Sequence, residues 1–239
     1  MKALILAGGK STRLYPLTIS TPKCLLVVGG KTILDHQIEG LLSAGVSELV
    51  LVVGCHKEKI IDHLTSKKYP LSITYVENNE YETTQPIMGL FCAREHLVGP
   101  IIFSHCDALF SADAIKDLLA DPHETALLYK KGVWDEEAGK IILDSGGRVR
   151  ELGKHIEQER ATGEYLQTAK FGVAFCKKLT EVLDERALSS RDGYTIDAFN
   201  DVVRDPAIEA FGVSFSGVAM EIDTPEDYSM AQKAWVNSN

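Results

Sequence analysis

No apolar run in the 239-residue chain approaches the roughly 20 residues that span a bilayer, so no transmembrane helix is expected. The opening apolar stretch is only a few residues long and ends in glycine, so no secretory signal is expected either. Five cysteines, Cys24, Cys55, Cys92, Cys106 and Cys176, make an odd total without a Cys-x-x-Cys pair. That spacing argues against a disulfide framework or a zinc site and fits reduced thiols in a cytoplasmic protein. Positive charge is not in excess, because 25 Lys and Arg stand against 34 Asp and Glu and leave a net charge of −9. No nucleic-acid or membrane partner is expected, and any cations that serve a ligand must be locally concentrated. Internal repeats and low-complexity tracts are missing. A chain of this length can bury a substantial core, and one α/β domain over 1–239 is expected.

What is present begins at the amino terminus. Lys2-Ala3-Leu4-Ile5-Leu6 has strand length and stops at Ala7-Gly8-Gly9-Lys10-Ser11-Thr12-Arg13-Leu14, which reads as strand, glycine bend and first helical turn. Glycines let the backbone approach a ligand, and exposed N–H groups of a turn suit phosphate. Gly9-Lys10-Ser11-Thr12 matches the end of a Walker A loop, but the glycine that motif needs five residues earlier is Leu4. The dinucleotide fingerprint fails too, since Lys10 and Arg13 stand where its later glycines belong. Thr21-Pro22-Lys23 adds a cation after a proline-fixed bend. Lys10, Arg13 and Lys23 are expected to face one anionic group of triphosphate size.

Strand and helix then alternate. Ile33, Leu34, Ile38, Leu41 and Leu42 recur at helical spacing within Thr32–Ala44, and Glu48–Val53 is a nearly continuous apolar strand. Strands without alternation are buried on both faces. His56–Thr65 reads as a helix, Leu71–Val76 as a strand, and Thr84 to about Glu95 as a helix with Pro86 in its first turn. The pattern predicts a doubly wound α/β fold with a mostly parallel, mixed sheet and helices on both faces, with ligands beyond the carboxyl ends of the strands.

A strand starting near Gly99 ends at Asp107, and Ser111 is placed to cap the helix Ala112–Leu119. A strand-end carboxylate is either a helix cap or a hard ligand of the kind Mg²⁺ prefers. His105 reads as a packed strand residue. Glu124–Lys130 is another strand, Lys140–Leu152 a hairpin, and Gly163–Phe171 a strand. Leu179–Leu188 and Ile196–Val203 read as helices, and Ile208–Phe215 as a strand. Val218–Ile222 then leads to Asp223, a turn residue on its own spacing. Thr224, Pro225 and Asp227 open a last helix through Trp235.

Four separated elements agree in order and spacing: Leu-Ala-Gly-Gly-x-Ser-Thr-Arg-Leu at 6–14, Pro-Leu-Thr at 16–18, Thr-Pro-Lys-Cys-Leu-Leu at 21–26 and Val-Gly-Gly-Lys-Thr-Ile-Leu at 28–34. Together they closely resemble the N-terminal signature of the nucleotidyltransferases that make nucleoside-diphosphate sugars and alcohols. Many sugar-specific members follow their third strand with Leu-Gly-Thr-Ala-Gly, which is absent here. Asn78-x-x-Tyr81-x-x-Thr84, with Leu90 six residues on, is more similar to the cytidylyltransferases that activate phosphocholine and phosphonates, although Thr84-Gln85-Pro86 departs from their usual Asn or Met after the threonine.

The resemblance implies a nucleotidyltransferase Rossmann-like fold, with nucleotide bound by about 1–110 and acceptor by about 111–239. It implies Mg²⁺ on Asp107 and Asp223, the latter matching Ile-Asp-Thr-Pro-Glu-Asp in full. Arg13 and Lys23 would be catalytic, with Leu6, Ala7, Gly8, Gly9, Ser11, Thr12, Gln85 and Ser104 also on the nucleotide. Lys154 and Glu164 would contact the two ends of the acceptor. A quaternary ammonium acceptor would want an aromatic cage, for which Tyr129, Trp134, Tyr165 and Tyr194 are candidates. The implied reaction joins CMP from CTP to a phospho- or phosphono-alcohol or amine, and a homodimer is compatible with it. Its rivals are a sugar-1-phosphate nucleotidyltransferase and a nonenzymatic nucleotide-sensing module.

Overall fold

A computed structural model describes residues 1–132, 137–189 and 192–237. Its elements, in chain order, begin with β1 (Lys2–Ala7), the short hairpin β2 (Val27–Val28) and β3 (Lys31–Thr32), and α1 (Ile33–Ser43). Then come β4 (Glu48–Val53), α2 (Lys57–Lys67), β5 (Ser72–Glu77), α3 (Pro86–Cys92), β6 (Ile101–His105), β7 (Ala108–Phe110) and α4 (Ala112–Ala120). The remainder is β8 (Ala126–Lys131), β9 (Lys140–Leu143), β10 (Val149–Gly153), β11 (Gly163–Phe171), α5 (Val173–Ser189), α6 (Thr195–Val203), β12 (Phe211–Ser214), β13 (Ala219–Glu221) and α7 (Pro225–Asn237).

The large sheet runs β10-β9-β11-β6-β1-β4-β5, with β8 paired to β11 and β12. β1, β4, β5 and β6 are mutually parallel, whereas β11 runs antiparallel to β6. From β1 the chain builds outward through β4 to β5, then returns to add β6 on the other side of β1. The strand order reverses there, opening a crevice beyond the carboxyl ends of β1 and β6.

The apolar runs of β1 and β4 have a direct cause, since alternate residues feed two cores. Leu4, Leu6, Val50 and Val52 pack with Ile87, Phe175 and Phe199 from α3, α5 and α6. Ala3, Ile5, Leu49 and Leu51 pack on the opposite face with Leu34, Ile38, Ile60 and Ile115 from α1, α2 and α4. A third cluster joins Leu14, Leu26 and Val28 to Leu109, Ile222 and Ala231, fastening the N-terminal loop to α7. Among the described residues, no helix is long and apolar enough to cross a membrane.

Several boundaries differ from those read off the sequence. After the glycine bend there is only a 3₁₀ turn, Thr12–Leu14, and α3 stops at Cys92 before a second such turn at Arg94–His96. The N-cap of α3 is Gln85, while Thr84 Oγ1 donates to the Glu80 carbonyl. Ser111 holds the cap position of α4 without a side-chain capping bond. α5 starts at Val173 rather than Leu179, because Phe175 and Cys176 continue the buried stripe of Leu179, Val182 and Leu183. The strand expected over Ile208–Phe215 is confined to β12. The expected start of α7 is present, with Asp227 N–H donating to Thr224 Oγ1 and Thr224 N–H to Asp227 Oδ2.

Candidate active site

The strand expected to run from near Gly99 to Asp107 ends at His105, two residues early. Asp107 sits in the turn between it and β7, at the large sheet's carboxyl edge. Cys106 N–H donates to the Leu6 carbonyl of β1, and Ile222 N–H donates to the Asp107 carbonyl. β7 pairs antiparallel with β13, placing Ala108 opposite Glu221. Asp223 follows directly, so main-chain bonds hold two carboxylates 116 positions apart in the sequence at one edge.

Lys23 connects them. Its Nζ lies 2.9 Å from Asp107 Oδ2 and 2.5 Å from Asp223 Oδ1, while Arg13 Nη2 lies 2.9 Å from Asp223 Oδ2. Burial works to lower the Lys23 ammonium, but Asp107 and Asp223 outweigh it and keep the group charged well above neutral pH. Burial would likewise raise the Asp107 carboxyl; the Lys23 charge reverses this and holds it below its ordinary value. Asp107 Oδ1 is buried without a hydrogen-bond partner. An orphaned anionic oxygen beside a second carboxylate is the donor set a hard divalent cation takes when substrate phosphates and water complete its shell. Among the described residues, no three His, Cys, Asp or Glu side chains form a metal cage.

The glycine bend is supported from behind. Cys55 N–H donates to the Gly8 carbonyl at 3.0 Å, and a Cβ on Gly54 would lie 2.6 Å from that carbonyl oxygen and 3.0 Å from the Tyr81 Cβ. Only glycine fits at 54. A Cβ on Gly9 would meet nothing within 4 Å, so this stretch of main chain is open in front. Ser11 has φ 54°, a left-handed conformation costing a non-glycine residue about 1 kcal/mol, and Thr18 Oγ1 donates to its carbonyl at 2.8 Å.

These groups line a cavity of about 550 Å³. Of the residues singled out in the sequence, Leu6, Gly8, Gly9, Lys10, Ser11, Thr12, Arg13, Lys23, Gln85, Asp107, Lys154 and Asp223 line it, with Lys10 paired to Glu82 rather than to the Asp107 and Asp223 carboxylates. Ala7 and Ser104 are buried beneath, and Ser104 Oγ bonds Thr168 Oγ1 of β11 at 3.0 Å. Tyr129 and Tyr165 do not form a cage. Both rings belong to the core around Phe103 and Phe199, turned there by the pairing of β8 with β11. Tyr194 does line the cavity, with the Lys154 ammonium 4.3 Å from its ring centroid. Trp134 lies outside the described residues. Glu164 is set back from the cavity and acts on it through Glu221.

Glu221 and Gln167 are among the cavity residues to which the sequence assigned no role, whereas His105 is the packed strand residue expected. Glu221 is half-buried, with its Oε1 shielded from solvent, beside Asp107, Asp223 and Glu164; burial first and these carboxylates next push its carboxyl well above the usual range. Gln167, which also lines the cavity, has φ 50° where the β11 register slips between Tyr165 and Ala169. Such a bulge re-aims a strand side chain, here into the cavity. His105 hydrogen-bonds Thr195 Oγ1 at 2.8 Å and is kept neutral chiefly by burial, joining the Asp107 turn to the start of α6. A Glu-x-Asp spacing and a glutamine in a strand carry no periodic signal that would have flagged them.

The chain is similar to known proteins along nearly its whole length. A CTP:phosphoglutamine cytidylyltransferase from Campylobacter jejuni is 27% identical, over 95% of this chain and 97% of its own length. A UTP–glucose-1-phosphate uridylyltransferase from Haloferax volcanii is 29% identical, over 98% of this chain and 96% of its own. The solved structure of a CTP:phosphocholine cytidylyltransferase from Streptococcus pneumoniae shares the fold, with a TM-score of 0.75 at 23% identity over 97% of each chain. The MobA-like NTP transferase domain model matches residues 3–190, more than half of the chain, and the protein belongs to that nucleotidyltransferase family.

Proposed function

We propose that the protein transfers CMP from CTP to a small phospho- or phosphono-alcohol or amine, of the phosphocholine or 2-aminoethylphosphonate type, and releases pyrophosphate. One observation carries the reading: Arg13, Lys23, Asp107 and Asp223 meet at the reversal point of the sheet, facing an open glycine bend. In this reading the nucleotide occupies the part built by about 1–110 and the acceptor the part built by about 111–239.

The main chain of the bend at Gly8 and Gly9 binds the triphosphate through N–H groups. Arg13 steadies the departing pyrophosphate, and Lys23 offsets charge on the α-phosphoryl group as an acceptor oxygen attacks in line. Reaching that group would take Lys23 out of its carboxylate bridge, and Asp107 and Asp223 are the residues that would hold Mg²⁺. That ion, when bound, polarises the α-phosphate as a Lewis acid. The acceptor's phosphoryl group is already ionised, so neutral His105 need not act as a base. Lys154, its ammonium over the Tyr194 ring, receives that anionic end, and Glu164 and Glu221 lie deeper in, toward the other. Asn78, Tyr81, Thr84 and Gln85 line the cavity beyond the bend and are the residues assigned to the base.

The Campylobacter relative and the Asn-x-x-Tyr-x-x-Thr pattern support CTP; the Haloferax relative favours the alternative, a sugar-1-phosphate nucleotidyltransferase using UTP, GTP or dTTP. A matrix of the nucleoside triphosphates against phosphocholine, 2-aminoethylphosphonate, polyol phosphates and sugar-1-phosphates, with Mg²⁺, decides by pyrophosphate release. Turnover with CTP and a small phospho- or phosphono-acceptor is expected. Turnover confined to a sugar-1-phosphate with another nucleotide overturns the proposal.

A further inference from the structure

Gln37 lies on α1, fully buried and behind the cavity rather than in it. Its side-chain Nε2 donates to the His105 carbonyl at 2.7 Å and to the Ala108 carbonyl at 2.7 Å. These two carbonyls bracket the Cys106–Asp107 turn. The same nitrogen is 3.4 Å from Ser104 Oγ, which is itself bonded to Thr168 on β11. The amide oxygen, Oε1, is buried without a partner.

That combination is informative. A buried glutamine with an unsatisfied oxygen is a poor core residue, and a leucine of similar volume would fill the space without stranding a polar atom. Turning the amide over would set Oε1 against two carbonyl oxygens, so the partners themselves fix its orientation. Both N–H bonds are spent on either side of the turn, where a rigid strand gives way to a short loop carrying a carboxylate.

We infer that Gln37 is a positioning residue for Asp107, its amide clamping the two ends of the turn so that the carboxylate is held toward Asp223. This rests on the proposed role of Asp107 as a cation ligand. Partners behind a metal ligand set its orientation, and losing one weakens metal binding about 10- to 100-fold. The clamp reaches the turn from α1, on the face of the sheet opposite α3, α5 and α6, and so acts independently of the acceptor side.

The test uses the full chain carrying Gln37→Met, which keeps length and volume but donates nothing, and Gln37→Glu, which faces two carbonyls with carboxyl oxygens. Mn²⁺ binding in the presence of CTP is read by electron paramagnetic resonance, beside thermal unfolding and steady-state kinetics. Both variants are expected to bind Mn²⁺ about tenfold more weakly and to lose kcat, with acceptor KM within about twofold. Ile38→Val, a neighbouring core change on α1, should leave Mn²⁺ binding unchanged; Gln37→Asn replaces either variant that does not fold. Normal Mn²⁺ affinity in folded Gln37 variants overturns the inference, as does an equal loss in Ile38→Val. Asp107→Asn separates the two levels. Wild-type Mn²⁺ binding in that variant sinks the role of Asp107 itself, whereas loss there with normal binding in the Gln37 variants sinks only the clamp.

Discussion

Asp35 and Asp107 are both shielded carboxylates with a lysine close by, yet their oxygens are treated in opposite ways. Asp35 Oδ1 accepts from His63 Nε2 and Tyr69 OH, each at 2.7 Å. Its Oδ2 accepts from the Thr32 N–H and lies 3.2 Å from Lys67 Nζ. Nothing is left over, and the cluster ties α1 to α2 and the segment after it. Asp107 shares one oxygen with Lys23 and leaves the other bare at the edge of a cavity. A carboxylate saturated by its own chain has nothing left to offer a ligand, while one left half-served keeps an oxygen for the cation proposed above.

The contrast is most easily broken at Asp107. Asp107→Asn should lower turnover by about 10³-fold, roughly 4 kcal/mol of transition-state stabilisation, while thermal unfolding stays near wild type. A large fall in melting temperature with activity per folded molecule retained would make the two carboxylates alike. Asp35→Asn should do the reverse, costing about 3 kcal/mol in urea unfolding because His63 and Lys67 lose a buried partner, with kcat unchanged. Lys23→Met comes next, with turnover down about 10²-fold in pyrophosphate-release assays. Tyr69→Phe removes one hydrogen bond to Asp35 and should cost about 1 kcal/mol in the same urea titration.

Acid sharpens the same comparison. Burial works to raise the Asp35 carboxyl, but bonds from His63, Tyr69 and Thr32 outweigh it and hold the group well below the carboxylate range. A depressed folded value means stability that is fully present above the unfolded value, near about pH 4, and is lost as pH falls through the folded one. The stability gap between wild type and Asp35→Asn should therefore be widest near neutrality and narrow below about pH 4. A gap that stays constant into acid would show that the charge of Asp35 is not what stabilises the cluster.

Much of the fold was legible because its signals are local. The runs Lys2–Leu6 and Glu48–Val53 announce strands covered on both faces, and Thr224-Pro225-Glu226-Asp227 announces the start of α7. The glycine bend and its cations were legible for the same reason. What could not be read depends on facing. Tyr129 and Tyr165 are strand aromatics whose side of the sheet is set by partners on β8 and β11, not by their neighbours in the chain. Val173–Cys176 hides the first turn of α5, since an unbroken apolar stretch after a strand has no visible period. Gln37 is one polar residue on an amphipathic helix, and nothing nearby in the chain reveals that its amide reaches a turn 70 residues away.

Gly54 extends this to engineering. With the Gly8 carbonyl against its back, the glycine bend takes its setting from the end of β4. A single methyl added there would press on the Gly8 carbonyl and on Tyr81 and lift the loop as a shim lifts a hinge. Position 54 is thus a handle on the setting of the bend that leaves the identity of every cavity-lining side chain unchanged.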